Sequence, residues 1–224
     1  MKVGVILCGC GRFDGSEIHE SVLTLLHLVH AGAQPVCFAP DADQWAVCEH
    51  FEGAVVEGQR RNMLGEAARI ARGDVRPLSE ASAGDLDALV LPGGTGAAKN
   101  LCDFGVQGAE GSVIPDLERL IREMHATGKP IGAICIAPAI VALVLGERGV
   151  RLTLGMPDGD ASVEAAKTGA QMIGCTVDNV VVDEEHRFVS TPAYILAQDI
   201  AEADSGIRKL VATVVKMAAV AVSG

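Results

Sequence analysis

The sequence predicts an α/β fold: one doubly wound, three-layer domain over residues 1–224, with a mostly parallel, flavodoxin-like sheet between two layers of helices. Three observations predict it. Short apolar runs that do not alternate with polar residues recur along the chain, as strands buried on both faces do. Stretches of helical period separate these runs, the alternation a parallel sheet requires. Apolar residues make up 49% of the chain and aromatics only 3%, so a sizeable core is available and must be built from Ala, Val, Leu and Ile. No Ser/Gly linker, repeat or low-complexity tract divides the chain.

The first strand is read at Val3–Leu7 and runs into a Gly-rich stretch. Glu17–Ala31 then has helical period, with Ser16 as N-cap, Glu17 well placed against the helix dipole and Gly32 at the C-terminal cap. On this helix Glu20 with Leu23, and Ile18 with Leu25 and Leu26, fall on adjoining inward faces. Pro35–Ala39 reads as the second strand and Asn62–Arg72 as the second helix. Ala88–Leu91 is the third strand, and Val113–Thr127 the third helix, stopped by Gly128 and Pro130. Pro130–Ile134 is the fourth strand and Pro138–Leu145 the fourth helix, opened by proline in its first turn. Beyond residue 150 the pattern loosens. Ser162–Thr168 is helical, Val180–Val182 and Phe188–Thr191 are short strands joined by Asp183-Glu184-Glu185-His186, and Ser205–Val222 closes the chain as a helix.

The net charge of −11 offers no basic surface for nucleic-acid backbone or anionic membrane, which leaves small molecules or proteins as partners. Seven scattered cysteines are an odd number with no disulfide framework, and read as reduced thiols. The amino terminus reads as a buried strand and not a signal peptide, and the apolar run Leu210 to Val222 is broken by Lys216 and too short to span a membrane. A cytoplasmic location is the expectation.

Ligands of doubly wound sheets sit beyond the carboxyl ends of the strands, where three loops gather. Cys135 ends the fourth strand, just before the helix that Pro138 opens. A thiol on so sharp a strand-to-helix turn stands near the positive end of a helix dipole, exposed as a nucleophile elbow exposes its serine; the alternative is one more buried, inert cysteine. Pro92-Gly93-Gly94, after the third strand, supplies bare backbone amides for an oxyanion, or is simply a tight turn. The segment through Lys99 is no P-loop, lacking the Gly-Lys-Ser/Thr ending. In the first loop Gly9-x-Gly11-x-x-x-Gly15, with Asp41 after the second strand, is one residue too long for a dinucleotide fingerprint. Cys8-x-Cys10 has no second pair to complete a metal site. Glu17 and Glu20 are either solvated, dipole-favoured charges or an inward carboxylate under the strand-end crevice.

Together these loops resemble the DJ/PfpI superfamily, which has a class I glutamine amidotransferase-like fold, and more narrowly its ElbB-type glyoxalases, once named for isoprenoid biosynthesis. The resemblance covers nearly the whole chain. It rests on Gly9-Cys10-Gly11 with Asp14-Gly15-Ser16-Glu17-Ile18-His19-Glu20, on Leu91-Pro92-Gly93-Gly94 with Gly96-Ala97-Ala98-Lys99-Asn100-Leu101, on Cys135-Ile136-Ala137-Pro138-Ala139, and on Thr191-Pro192-Ala193-Tyr194. It implies that Cys135 is a nucleophilic, oxidation-prone cysteine and Glu20 the carboxylate against its sulfur, with Glu17 as fallback. Gly93, Gly94 and the amide of Ile136 would be the oxyanion donors. One departure matters: superfamily members with peptidase-like chemistry carry His directly after the cysteine, and Ile136 stands there, leaving a His brought in by folding, such as His186.

The expected activity is a glyoxalase of the lyase class that needs no cofactor, metal or glutathione and turns glyoxal or methylglyoxal into a 2-hydroxy acid. The alternatives are a thiol redox sensor or accessory protein, linked or not to isoprenoid metabolism, and a dinucleotide-dependent oxidoreductase. The resemblance also implies a homodimer. If Cys135 and Glu20 touch, one proton should stay on the pair, with the thiol below its free pKa of about 8.5 and the carboxyl above about 4.3.

Overall fold

The computed structural model describes residues 1–221. The elements run β1 (Lys2–Ile6), α1 (Ile18–His30), β2 (Gln34–Ala39), α2 (Met63–Ala71), β3 (Val75–Pro77), β4 (Ala88–Leu91), α3 (Ala97–Asn100), α4 (Phe104–Gln107), α5 (Pro115–Ala126), β5 (Ile131–Ile134), α6 (Pro138–Leu145), β6 (Arg151–Leu152), α7 (Asp160–Ala166), β7 (Gln171–Met172), β8 (Val181–Asp183), β9 (Phe188–Thr191) and α8 (Ile200–Ala221). The expected four strands and four helices before residue 150 are all present within two residues of their expected ends. The closing helix starts five residues earlier than expected, and its expected last residue, Val222, lies outside the described residues. The short β3, the β6–β7 ribbon, α3 and α4 carry too few residues for a periodic signal.

Seven strands pair in the order β3-β2-β1-β4-β5-β9-β8, all parallel except β8. Without the edge strands β3 and β8, the central five follow the expected flavodoxin-like order. β4 and β5 are buried at every position, which is why they read as unbroken apolar runs. On one face Leu28 of α1, Ala67 and Ile70 of α2, and Ala203, Ile207, Leu210 and Val214 of α8 cover the sheet. On the other lie Leu117, Leu120, Ile121 and Met124 of α5 and Ile140 to Leu145 of α6. The chain winds from β1 outward through β2 to β3, then restarts at β4 on the other side of β1. The crevice between β1 and β4 is therefore the topological switch point, where such sheets open a site.

Candidate active site

Cys135 immediately follows β5 with φ +58°, a left-handed conformation that L side chains adopt only under strain. Its amide donates to the Thr191 carbonyl (2.9 Å), tying the elbow to the end of β9. Pro138 then opens α6 as its first residue. The turn is the expected nucleophile elbow, but Cys135 as a whole is only 9% exposed.

Glu20 comes to the same point from α1. Gly93 donates to its Oε2 (2.8 Å), and the Cys135 thiol and Tyr194 amide also act on the carboxyl. Its Oε1 is buried with no hydrogen-bond partner of ordinary geometry among the described residues. The side chain is wholly inaccessible, and burial, helped by the charge of Glu17, pushes its pKa up to about 8 against the pull of those donors. Cys135 answers to the Glu20 carboxyl and to the backbone amides of Gly94 and Ile136. Burial first, and the facing carboxylate second, push this thiol up, although the two amides pull it down. The expected rise for Glu20 is found; the expected depression of the thiol is not, because desolvation outweighs two amides and an eight-residue helix.

The three expected oxyanion donors divide. Gly94 and Ile136 face the sulfur, whereas the Gly93 N–H is taken by Glu20 and the Gly93 carbonyl accepts from Glu17 N (2.9 Å). Glu17 is not the inward carboxylate. It is the N-cap of α1, its Oε2 accepting from Glu20 N at 2.8 Å. Ser16, expected in that role, instead accepts from Cys8 N through its hydroxyl (2.9 Å). The inner face of α1 is the expected one only in part: Glu20 is buried and Leu23 and Leu25 pack against the core as expected, but Ser21, Thr24 and Leu28 complete that face, while Ile18, Val22, Leu26 and Val29 are exposed. Ser21 and Thr24 satisfy their hydroxyls on the helix's own carbonyls, Glu17 O and Glu20 O, so a polar face can be buried at little cost.

The first loop's glycines close the loop on itself. A Cβ on Gly15 would stand 2.5 Å from Cys10 N, and one on Gly96 would stand 2.1 Å from Gly15 N, so the loops after β1 and β4 meet backbone to backbone. The Glu17 carboxylate caps the start of α1 and takes the Glu20 N–H itself, so that helix end offers no free cradle for a phosphate. Among the described residues no group of three His, Cys, Asp or Glu is placed to hold a metal.

No histidine takes part in the Cys135 environment just described. His19 bonds Tyr194, His27 bonds Asp204, and His50 lies against Asp14. His186, the one left open from sequence, bonds Asp183 and stacks on His125. Because Phe188 pairs with Ile131 and Thr191 with Ile134, His186 sits at the amino end of β5, opposite to Cys135. Sequence reasoning had not singled out Tyr194 within its motif, nor Ala193 at φ +41°; the strain has no signature in the sequence.

No family model matches the chain. It is 41% identical over 224 residues to the mitochondrial glutamine amidotransferase-like class 1 domain-containing protein 3 of Homo sapiens, covering 96% of this chain and 83% of the relative. It is 39% identical to the mitochondrial ES1 protein homolog of Rattus norvegicus, over 96% and 84% of the two chains. The crystal structure of an isoprenoid biosynthesis protein with amidotransferase-like domain from Ehrlichia chaffeensis superposes with TM-score 0.89 at 34% identity, over 96% of this chain and 99% of that one. Drosophila melanogaster DJ-1beta shares the fold alone, with TM-score 0.57 and 17% identity over 100% and 96% of the two chains. The mitochondrial names of the relatives overturn the cytoplasmic location expected from the sequence; an acidic chain of reduced thiols suits either compartment, so composition had no bearing on it. Identity sustained along nearly the full chain, on a sheet that superposes end to end, places this chain in the ES1 family of glutamine amidotransferase-like class 1 proteins, built on the DJ-1/PfpI fold.

Proposed function

We propose that the chain is a glyoxalase that converts glyoxal or methylglyoxal to a 2-hydroxy acid, with Cys135 as nucleophile and Glu20 as base. The observation that carries this reading is the Cys135–Glu20 pair itself: a thiol against a buried carboxyl whose pKa lies near 8 and whose Oε1 has no hydrogen-bond partner of ordinary geometry among the described residues. Such a carboxyl is poised to exchange protons near neutral pH.

The reactive pair holds one proton. Sulfur attacks the aldehyde carbon, forming the C–S bond while the proton passes from Glu20 to the aldehyde oxygen, which the Gly94 and Ile136 amides support as charge develops. The hemithioacetal sulfur is now neutral, so Glu20 is left as a carboxylate with no anion facing it. It takes the hydrogen from the carbon bonded to sulfur and delivers it to the neighbouring carbon, whose carbonyl becomes a hydroxyl as the first hydroxyl becomes the thioester carbonyl. The redox change is internal to the substrate: one carbon is oxidised and the other reduced. Water then cleaves the C–S bond, releasing the hydroxy acid and restoring the thiol. A hydrolytic triad has no support, since Ile136 follows the cysteine and the histidines are engaged elsewhere.

The test is purified protein with glyoxal, excess chelator and no glutathione. Glycolate should form with a kcat/KM whose rising limb has its midpoint near pH 8, Cys135→Ser should abolish it, and Glu20→Gln should remove turnover and limb together. Product no faster than with heat-killed protein overturns the proposal. Stoichiometric oxidation of Cys135 by dilute peroxide without turnover would instead favour the sensor.

A further inference from the structure

Two non-glycine residues with positive φ stand side by side at the carboxyl ends of neighbouring strands: Cys135 at +58° after β5 and Ala193 at +41° after β9. The first belongs to the sharp turn that carries the chain from β5 into α6. The second is a buried alanine, and what its strain accomplishes is the direction of the next residue. The Tyr194 amide lies close enough to the Glu20 carboxyl to lower its pKa, without a hydrogen bond of ordinary geometry, and the Tyr194 hydroxyl meets His19 Nδ1 at 2.6 Å. His19 is the residue before Glu20 in the first turn of α1. Backbone strain of this kind persists only where surrounding contacts hold it, and the His19–Tyr194 hydrogen bond is such a contact.

We propose that Tyr194, tied to His19, is a positioning residue for Glu20: the bond locks the strained turn after β9 on to the first turn of α1 and so holds the buried carboxyl against the Cys135 thiol. This rests on the reading of Cys135 and Glu20 as the reacting pair, but its consequences are read without any aldehyde. The charged and titratable groups around the clamp are Glu17, His19 and Glu20 of α1, Cys135 at the elbow and Asp199 just before α8. Burial first, and then the charges of Glu17, Glu20 and Asp199, push the Tyr194 phenol up. Loosening the turn withdraws an amide that lowers the Glu20 pKa, so the pair should release its first proton at higher pH.

The experiment is alkylation of Cys135 by iodoacetamide against pH, followed by mass spectrometry of the peptide that contains it, in the wild type, Tyr194→Phe, His19→Gln and the double variant. The midpoint should rise in both single variants by a similar amount, and no further in the double variant, because one bond is lost in all three. At neutral pH the rate should fall roughly 3- to 10-fold, the worth of one well-formed hydrogen bond. Tyr194 is the only tyrosine, so its absorbance near 295 nm titrates it alone, and Glu20→Gln should lower its midpoint. An unmoved alkylation midpoint, with or without a drop in melting temperature, overturns the proposal, as do additive shifts in the double variant. If the clamp results hold while glyoxal is not turned over, the positioning stands and the glyoxalase reading fails.

Discussion

Gly93 has no space for a methyl group. A Cβ there would lie 2.7 Å from Cys135 Cβ, 2.8 Å from Ile134 O and 3.0 Å from Glu20 Oε2, so the missing side chain is what allows nucleophile and carboxyl to meet. No left-handed backbone is involved at this position, which makes Gly93→Ala a steric test and not a conformational one. The substituted methyl must move either the elbow or the carboxyl, and neither can move far, being strained in one case and fully enclosed in the other. Gly93→Ala should therefore lower glyoxal turnover about 100-fold, the cost of misplacing reacting groups by roughly 1 Å. Steady-state kinetics check it, and an unchanged kcat would mean that the two groups need not touch. The sequence marks Gly93 as a candidate because a Gly-Gly pair closes a strand; it does not reveal that the amide serves the carboxyl and not an oxyanion.

At the scale of elements, α1 decides the site, and it is where sequence and structure part most. Its pattern points Glu20 with Leu23, and Ile18 with Leu25 and Leu26, inward; Glu20, Leu23 and Leu25 do lie on the core side, but Ser21 and Thr24 are buried beside them and Ile18, Val22 and Leu26 face out. Periodicity missed Ser21 and Thr24 because intrahelical hydroxyl bonds satisfy them, which a hydropathy pattern does not register. The cap was misplaced by one residue for a related reason: Ser16 is drawn back to Cys8 N, and Glu17 takes over. Glu17 thus has two effects that substitution separates. Glu17→Gln keeps an acceptor for Glu20 N and removes the charge that raises the Glu20 pKa, so the rising limb of the pH–rate profile should move below about pH 8 with little change in melting temperature. Glu17→Ala should shift the limb the same way but also cost about 1 kcal/mol, the usual worth of an N-cap. A pH-rate profile and a urea titration of each variant provide the check, and an immobile limb in both would detach Glu17 from the titration of Glu20.

For the whole molecule, the central sheet was legible because β1, β2, β4 and β5 are long enough and buried enough to read as apolar runs. β3 ends at Pro77 on the sheet edge and β6 and β7 pair only two residues each, too little for any pattern to register. Burial, which made the strands legible, also governs how stability depends on pH. Glu20 is fully enclosed with its pKa raised from 4.5 to about 8, so between those values the folded chain holds a proton that the unfolded chain has released. Its contribution is fully present below about pH 4.5 and is lost as pH rises through about 8, because the native state binds more protons than the unfolded state over that window. Glu20→Gln does not ionise and lacks this dependence. Urea midpoints of the two proteins at about pH 5 and about pH 9 should therefore diverge, the wild type losing stability relative to Glu20→Gln as pH rises. Cys8, Cys37 and Cys102 are pushed up to about 11, 11 and 12 by burial and act in the same sense at higher pH, but they are common to both proteins and cancel. Parallel urea midpoints would show that Glu20 ionises inside the fold as easily as in water, which would remove the physical basis for treating it as the base.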